Sequence, residues 1–337
     1  MRWKRNLSEL CENMKKQPLI IITGPTSVGK TENSIKIAKA LNGEIISADS
    51  MQVYRHMDIG TAKITKEEMD GVVHHLIDCL EPTEDFNICL FKEMADGAIK
   101  DIASRGKMPI IVGGTGFYIQ AVLKDVEFSK DEEDLDSGDK SIRKELQEIA
   151  DTKGTEYLHG MLREIDPESA DAIHANNVKR VIRAIEYYRL NGEKISAHNE
   201  KEAAKESPYD YLYFVINNDR EILYKRIEDR IDIMLKDGLI EEVKKLKDMG
   251  CTRDMVSMKG LGYKEILAYL EGEISYEEAV YILKRDTRHF AKRQITWFKR
   301  EKDVIWMNYP DYNQDKTKML QAMLKRIGEH YGIEYNV

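Results

Sequence analysis

The sequence predicts an α/β fold in which helices pack against a parallel β-sheet. Short apolar runs near 18–23, 44–48 and 109–112 alternate with amphipathic stretches near 29–41, 87–105 and 115–123. This alternation is typical of parallel strands joined by crossover helices. A second observation is the apolar run at 211–216, which predicts a strand that leads into a helix from about Asp219. A short strand at 304–307 and a final helix complete the predicted core.

The stretch of about 140–200 has helical periodicity and no strand pattern. We therefore predict an α/β core of residues 1–123 and 208–337, interrupted by a helical insertion at 124–207. Eight acidic residues against two lysines at 124–139 predict an exposed loop at the start of the insertion. From Ser275 a capping box with Glu278 predicts the start of a long helix, so the C-terminal region is expected to be mostly helical.

Composition limits the class of protein. The 337 residues are 42% hydrophobic and 33% charged, which is ordinary for a globular protein. No stretch approaches the roughly 18 uninterrupted apolar residues of a membrane span, and the basic N-terminus lacks the apolar segment of a signal peptide. The four cysteines are scattered, without metal-ligand spacing, which suits free thiols. These features predict a cytoplasmic protein without a membrane partner, and we expect a monomer.

A glycine-rich motif follows the first predicted strand and precedes a helix. It matches the P-loop pattern in the strand-to-helix context that the pattern requires, so the fold is expected to resemble that of P-loop NTPases. Glycines let backbone N–H groups surround phosphate oxygens, and the helix N-terminus adds positive charge. The alternative is a glycine-rich turn with a chance lysine. The motif predicts a phosphate site made of Gly24, Pro25, Thr26, Ser27, Val28, Gly29, Lys30 and Thr31.

Two more loops are expected beside the P-loop, because ligands of parallel α/β sheets bind at the carboxyl ends of the strands. One loop begins at Asp49, which could be a magnesium ligand, a general base or simply a helix or turn cap. The other is the glycine-rich turn 113–116. Its Thr115 could donate to a phosphate or a reacting centre, and it could also cap the helix that follows.

An acidic residue that positions a hydrolytic water is not evident. P-loop proteins that hydrolyse ATP usually carry an Asp at the end of an apolar strand. Here the run at 109–112 ends in two glycines, and only Asp49 could replace the missing acid. We therefore expect the acceptor to be a bound nucleophile rather than water.

Basic residues are concentrated in two segments, although the net charge is −8. Residues 284–302 hold eight Lys or Arg, and a helix there has an apolar stripe flanked by Arg288, Lys292 and Lys299. A second cluster lies at 179–183 in the insertion. A solvated cationic face would explain one such cluster. Two clusters on separate lobes around a phosphate site favour a groove for a nucleic acid.

The motifs together resemble those of the bacterial tRNA dimethylallyltransferases, also called tRNA isopentenyltransferases. The resemblance runs in order over nearly the whole chain. It rests on GPTSVGKT at 24–31, DSMQVYR at 49–55, DIGTAK at 58–63, HHLID at 74–78, GGTGFY at 113–118, NVKRVIRAIEYY at 177–188, GLGYKE at 260–265 and TRHFAKRQITWFKR at 287–300.

The resemblance implies transfer of a dimethylallyl group from dimethylallyl diphosphate to N6 of the adenosine 3′ of the tRNA anticodon. The P-loop would then bind the donor diphosphate, with Mg²⁺ held through Thr31. Asp49 would accept the N6 proton as the amine attacks, and the Thr115 hydroxyl would lie beside that amine. Arg220 would add positive charge at the leaving group.

The resemblance also implies the residues that meet the anticodon stem-loop. They are Asp49, Ser50, Met51 and Gln52, Arg143, the run Lys179, Arg180, Val181, Ile182 and Arg183, the run Lys259, Gly260, Leu261, Gly262, Tyr263 and Lys264, and the run Lys292, Arg293, Gln294, Ile295, Thr296, Trp297, Phe298 and Lys299.

Three other functions compete with this one. A P-loop kinase of a small metabolite, with 124–207 as its lid, would leave the basic C-terminal helix without a role. An isopentenyltransferase acting on free adenine nucleotides would need no second basic lobe. An RNA-binding protein with a P-loop nucleotide switch would carry out no transfer.

Overall fold

The computed structural model describes residues 16–126 and 140–334. Most of the acidic loop predicted at 124–139 and the N-terminal cysteine, Cys11, lie outside the described residues. The chain forms two compact units, one made of Leu123–Pro208 and the other of the described residues on either side of it. These bounds differ by one residue at each end from the predicted insertion of 124–207.

The first unit is built on a six-stranded parallel sheet with the strand order β3-β2-β4-β1-β5-β6. The predicted α/β class and P-loop-like core are therefore confirmed. The strands are β1 (Gln17–Thr23), β2 (Gly43–Ala48), β3 (His74–His75), β4 (Met108–Gly113), β5 (Tyr209–Asn217) and β6 (Val304–Asn308). Only β3 was not predicted, because two residues are too few to form a recognisable pattern.

Helices of the first unit connect and follow these strands. They are α1 (Lys30–Leu41), α2 (Lys66–Met69), α3 (Ile88–Ser104), α4 (Gly116–Leu123), α10 (Arg220–Lys236), α11 (Leu239–Asp248), α12 (Tyr263–Leu270), α13 (Tyr276–Phe298) and α14 (Lys316–Tyr331). The prediction that α13 starts after Ser275 is confirmed, since the Ser275 hydroxyl accepts from the Glu278 N–H at 3.1 Å.

Apolar residues at the centre of the sheet are buried on both faces. Leu19, Ile20, Ile21 and Ile22 of β1 are all 0% exposed. A parallel sheet covered on both faces requires such continuous apolar strands instead of alternating ones. Because β1 pairs with β4 on one side and β5 on the other, the loops after these strands lie at the same edge of the sheet.

The second unit is helical, as predicted. It contains α5 (Lys140–Lys153), α6 (Thr155–Ile165), α7 (Pro167–Ala172), α8 (Val178–Asn191) and α9 (Ile195–Ala204). Its core includes Leu146, Leu158, Leu162 and Ile185. The buried carboxylate of Asp166 joins two of its helices, because it accepts hydrogen bonds from the backbone and hydroxyl groups of both Ser169 and Ser196.

Candidate active site

The P-loop turns sharply out of β1. Gly24 has φ +143°, and a Cβ there would overlap the carbonyl oxygen of Ile216 in the neighbouring strand. Gly29, just before α1, has φ +100°, a conformation that favours glycine. The amide side chain of Asn33 donates to the carbonyl of Gly29 at 2.9 Å and to the hydroxyl of Tyr309 at 3.2 Å. These contacts fix the loop against the first turn of α1, whose N-terminus is suited to an anion.

Lys30 lies over this loop. Its ammonium group donates to the carbonyls of Gly24 at 3.0 Å and Pro25 at 2.9 Å. The pKa of Lys30 is lowered from 10.5 to about 8, mainly by burial and also by the nearby Arg230, while Asp49 opposes the shift. A phosphate at this position would supply the negative charge that favours the protonated form.

Arg230 is the second cation at the P-loop. It lies on α10, and its guanidinium is 3.4 Å from the Thr26 hydroxyl and 3.5 Å from the Ser27 hydroxyl. Burial lowers the pKa of Arg230, and Asp49 raises it, but a guanidinium stays charged in proteins. Its planar group of N–H donors is suited to bidentate contact with phosphate oxygens.

Asp49 follows β2 at the same edge. One oxygen, Oδ1, accepts from the backbone N–H of Met51 at 2.9 Å and from that of Gln52 at 3.4 Å. The predicted alternative of a turn cap is therefore present. Among the described residues Oδ2 has no hydrogen-bond partner, so the cap leaves one carboxylate oxygen for chemistry.

The turn that carries Thr115 is attached to the end of β2. The Thr115 N–H donates to the carbonyl of Ala48 at 3.3 Å, and the carbonyl of Thr115 accepts from Tyr118 in the first turn of α4. A Cβ at Gly113 would overlap the carbonyl of Ala48, so glycine is needed there. The structure thus brings the Asp49 and Thr115 segments together, as predicted.

Two cavities adjoin at these residues. The larger, of about 660 Å³, contains the P-loop and the loop 58–65. The smaller, of about 340 Å³, contains Thr115 and a more apolar wall that includes Ile227, Leu283 and Phe290. Both cavities are lined by Thr26, Ser27, Asp49, Thr61, Arg230 and Met234. A phosphate site and an apolar site therefore share a boundary at Asp49 and Arg230.

The loop 58–60 between the cavities is held by a buried carboxylate. Glu242 of α11 accepts from the backbone N–H groups of Asp58 at 2.9 Å, Ile59 at 2.7 Å and Gly60 at 3.0 Å. It also accepts from the Tyr263 hydroxyl at 2.7 Å. Charge-assisted bonds of this kind are stronger than neutral ones, so this wall of the site is fixed.

Several residues predicted to contact tRNA from the first unit have buried side chains. Tyr263 and Phe298 are 0% exposed, and Gln294 is 6% exposed. Phe298 packs inside the unit, whereas Tyr263 and Gln294 also line the smaller cavity. In the same runs Lys259, Lys264, Lys292, Arg293 and Lys299 are exposed. Consecutive residues of a helix include its core face, which explains the buried positions in the run 292–299. All six residues of the run 259–264 line the smaller cavity. The contact of these runs with tRNA stays a prediction.

The residues of the second unit that were predicted to contact tRNA also include both exposed and buried side chains. Lys179 and Arg180 are exposed on α8, whereas Val181 and Ile182 belong to the core. The predicted tRNA ligand Arg143 is 2.6 Å from the buried carboxylate of Glu186, and Arg183 contacts the other oxygen at 3.4 Å. Both arginines therefore also neutralise an internal charge.

The structure does not bring Arg220 to the phosphate site. Arg220 is exposed at the start of α10, its guanidinium 5.0 Å from the ring centroid of Tyr224, and it lines neither cavity. Sequence reasoning missed Arg230 and Arg226, which lie two to three turns later and line the larger cavity. Their i, i+4 spacing places both on one face of the helix, but the sequence does not mark that face as the one at the P-loop.

The residues at the P-loop cavity decide whether a divalent metal ion fits there. Within 16–126 and 140–334 no group of three His, Cys, Asp or Glu side chains could hold a metal. The Thr31 hydroxyl and the Asp49 carboxylate do line the P-loop cavity. Mg²⁺ binds with one or two protein ligands, water and substrate phosphates, so these residues fit a metal that arrives with a diphosphate.

Two further observations concern membrane spans and cysteines. In the described part of the chain, no helix has the length and apolar character needed to cross a membrane. The described cysteines, Cys79, Cys89 and Cys251, form no disulfide bond.

The fold and the cavities define a P-loop protein in which a cationic cavity suited to phosphate adjoins a more apolar cavity. Comparison with known proteins narrows this class. The IPP transferase family matches residues 52–301, and the isopentenyl transferase family matches residues 17–85. The chain belongs to the IPP transferase family.

Individual relatives agree with this assignment. A tRNA dimethylallyltransferase of Lachnoclostridium phytofermentans is 63% identical over 313 residues, which cover 93% of this chain and 98% of the relative. A tRNA isopentenylpyrophosphate transferase of Bacillus halodurans, known from its crystal structure, is 44% identical with a TM-score of 0.71, covering 94% of this chain and 97% of that one. A eukaryotic dimethylallyltransferase acting on tRNA is 28% identical with a TM-score of 0.78, covering 95% and 81%.

Proposed function

We propose that the protein transfers the dimethylallyl group of dimethylallyl diphosphate to N6 of the adenosine 3′-adjacent to the tRNA anticodon, releasing diphosphate. The observation that carries this proposal is the shared boundary of the two cavities at Asp49 and Arg230. A transfer reaction needs the leaving group in a cationic site and the acceptor beside a base. Membership of the IPP transferase family supports the same reaction.

The donor diphosphate would lie in the P-loop cavity. Lys30, Arg230 and the N-terminus of α1 would bind its oxygens and stabilise the charge that develops as the allylic C–O bond breaks. Mg²⁺, held with Thr31, would neutralise further negative charge on the diphosphate. The protein groups are in place before reaction, which is the condition for efficient electrostatic stabilisation.

The acceptor adenine would enter the smaller cavity. Its N6 would form the new C–N bond to the allylic carbon, and the N6 proton would pass to Oδ2 of Asp49. The Thr115 hydroxyl would lie beside the amine and orient it. Phe290 and Ile227 provide the apolar surface expected around a prenyl chain and a base.

A base inside the anticodon loop must leave its stack to reach this cavity, which costs a few kcal/mol. Phosphate contacts from exposed basic residues would offset that cost. In the first unit these are Lys292, Arg293 and Lys299, and in the second they are Lys179 and Arg180.

Every group given a role in the transfer lies in one unit of a single chain, which supports a monomeric enzyme. We infer action in the cytoplasm, where the free thiols and a tRNA substrate would be expected.

Incubation with dimethylallyl diphosphate and unmodified tRNA tests the proposal, with N6-dimethylallyladenosine as the product to be detected. The same assay with free AMP, ADP or ATP as acceptor tests the alternative of a nucleotide isopentenyltransferase. Consumption of ATP in step with product would favour the kinase instead. Product on tRNA alone supports the proposed function.

Lys30 predicts a pH dependence of donor binding. The pKa of Lys30 is about 8, so above pH 8 the free enzyme must take up a proton to present the charged ammonium. The affinity for dimethylallyl diphosphate should therefore fall as pH rises above 8, by up to about tenfold per pH unit. Calorimetric titrations between pH 7 and 9.5 measure this.

Lys30→Arg is the matched control, because a guanidinium stays charged over the whole range. Its affinity should vary little with pH, whereas Lys30→Ala should bind the donor weakly throughout. An equal pH slope in wild type and Lys30→Arg would assign the titration to another group.

The basic face of α13 predicts a salt dependence of tRNA binding. Each phosphate contact adds about 0.7–0.9 to the slope of log affinity against log salt concentration. Replacing Lys292 and Lys299 together by Ala should flatten that slope by about 1.4–1.8 and weaken tRNA binding. Donor binding should be unchanged, since neither lysine lines the P-loop cavity.

A double variant of Lys318 and Lys325 is the control, because these lysines are also exposed and lie on α14. It removes the same net charge from another helix and should leave the slope close to that of wild type. Equal slopes for wild type and the α13 variant would mean that its basic face is only solvated.

A further inference from the structure

The side-chain amide of Gln294 joins two loops of the active site. Its Oε1 accepts from the backbone N–H of Thr26 at 2.9 Å, and its Nε2 donates to the carbonyl of Gly114 at 3.0 Å. The side chain is buried, with 6% of the residue exposed. Both ends of the amide are therefore used inside the protein.

The two partners belong to opposite sides of the proposed reaction. Thr26 is part of the loop that would bind the donor diphosphate. Gly114 immediately precedes Thr115, which would face the acceptor amine. A single planar amide thus spans the gap between the donor site and the acceptor site, and its rigid geometry fixes their separation.

Glycine at 114 makes this contact possible. A Cβ at Gly114 would overlap Nε2 of Gln294. The next glycine, Gly116, is similarly limited, since a Cβ there would overlap the indole ring of Trp297, one turn further along α13. The turn after β4 therefore rests directly on α13, through Gln294 and Trp297.

We propose that Gln294 is a positioning residue for the transfer. Gln294 lines the smaller cavity, but both ends of its amide are bound to the loops. It holds the P-loop and the Thr115 turn at the separation that aligns the allylic carbon with N6. The neighbouring Lys292 and Arg293 are exposed, so α13 carries a basic outer face and a buried inner face that fixes the reaction site. This inference rests on the proposed function.

Gln294→Met tests the role, because methionine has similar length and no charge but makes neither hydrogen bond. Displacement of a reacting group by about 1 Å can lower a rate about 10²-fold, so kcat should fall by about that factor. The Kd for tRNA should stay within about twofold of wild type, since both ends of the Gln294 amide are bound to the loops. Gln321→Met on the exposed face of α14 is the matched control and should match wild type in both.

Gly114→Ala tests the same contact from the other partner. The added methyl would displace the Gln294 amide while the glutamine itself remains, and kcat should again fall with an unchanged Kd for tRNA. If Gln294→Met does not fold, this variant decides the matter. In the double variant the two losses in kcat should not multiply, because both remove one contact.

A wild-type kcat in a folded Gln294→Met or Gly114→Ala protein would overturn the inference. A fall in tRNA affinity with kcat unchanged would overturn it too, since Gln294 would then contact RNA. If the wild-type protein forms no N6-dimethylallyladenosine, the proposed function fails separately. Binding of inorganic diphosphate then tests the contact with Thr26, and it should weaken in Gln294→Met but not in Gln321→Met.

Discussion

Replacing Asp49 by asparagine should lower the rate of transfer by about 10²-fold or more, the usual scale for a general acid–base group. Asparagine retains a side-chain oxygen that can accept from the N–H groups of Met51 and Gln52, as Oδ1 of Asp49 does. The amide nitrogen that replaces Oδ2 cannot accept the N6 proton. A single-turnover rate at saturating substrates measures this effect, and donor affinity should change little.

Asp49→Ala separates the base from the cap. Alanine removes both functions, so its rate should be as low as that of Asp49→Asn, and it should lose about 0.5–1.5 kcal/mol of stability for each hydrogen bond removed from the turn. If Asp49→Asn works at nearly the wild-type rate while Asp49→Ala is slow or unstable, Asp49 is only a turn cap. The base must then be another group in the smaller cavity.

The sheet could be predicted because its signal is local. Each strand from β1 to β6 except β3 is an apolar run next to a turn or a helix, and burial on both faces makes such runs continuous. The strand β3 has only two residues, and its pairing with Ile45 and Ile46 of β2 is a tertiary effect. The order of the strands could not be read from the sequence, since it depends on how crossovers pack.

The candidate site residues that directly follow a strand could be predicted from the sequence. The P-loop, Asp49 and Thr115 each follow a strand directly, so the edge rule for parallel sheets brought them together. Arg230 lies in the middle of α10, where sequence alone does not say which helical face meets the P-loop. The sequence does not distinguish Glu242 from the other acidic residues of the chain. Its contact with the loop 58–60 is visible only in the structure.

Gln294 shows a different limit. Its place in a basic run suggested contact with tRNA, as for the lysines beside it. Successive side chains of a helix point about 100° apart. Neighbours in sequence can therefore lie one on the surface and the other in the core. The polarity of Gln294 was a real signal, but its partners are the backbone groups of Thr26 and Gly114.

Arg230→Ala should weaken the binding of dimethylallyl diphosphate by about 10²-fold, equivalent to about 2.8 kcal/mol. The guanidinium lies at the P-loop hydroxyls, where it would make charge-assisted bonds to the diphosphate. Hydrogen bonds to charged groups contribute about 1.5–3 kcal/mol each, so the loss of one or two explains this magnitude. Titration calorimetry with inorganic diphosphate and with the allylic donor measures it.

Arg220→Ala is the decisive comparison, since it removes the same side chain from the same helix. Arg220 lies over Tyr224 at the exposed start of α10, so its loss should change donor affinity by less than about twofold. Arg230→Lys should fall between wild type and Arg230→Ala, because an ammonium keeps the charge but loses the bidentate geometry. If Arg220→Ala weakens the donor and Arg230→Ala does not, the first turn of α10 must reach the diphosphate. Arg230 would then only support the Thr26 and Ser27 hydroxyls.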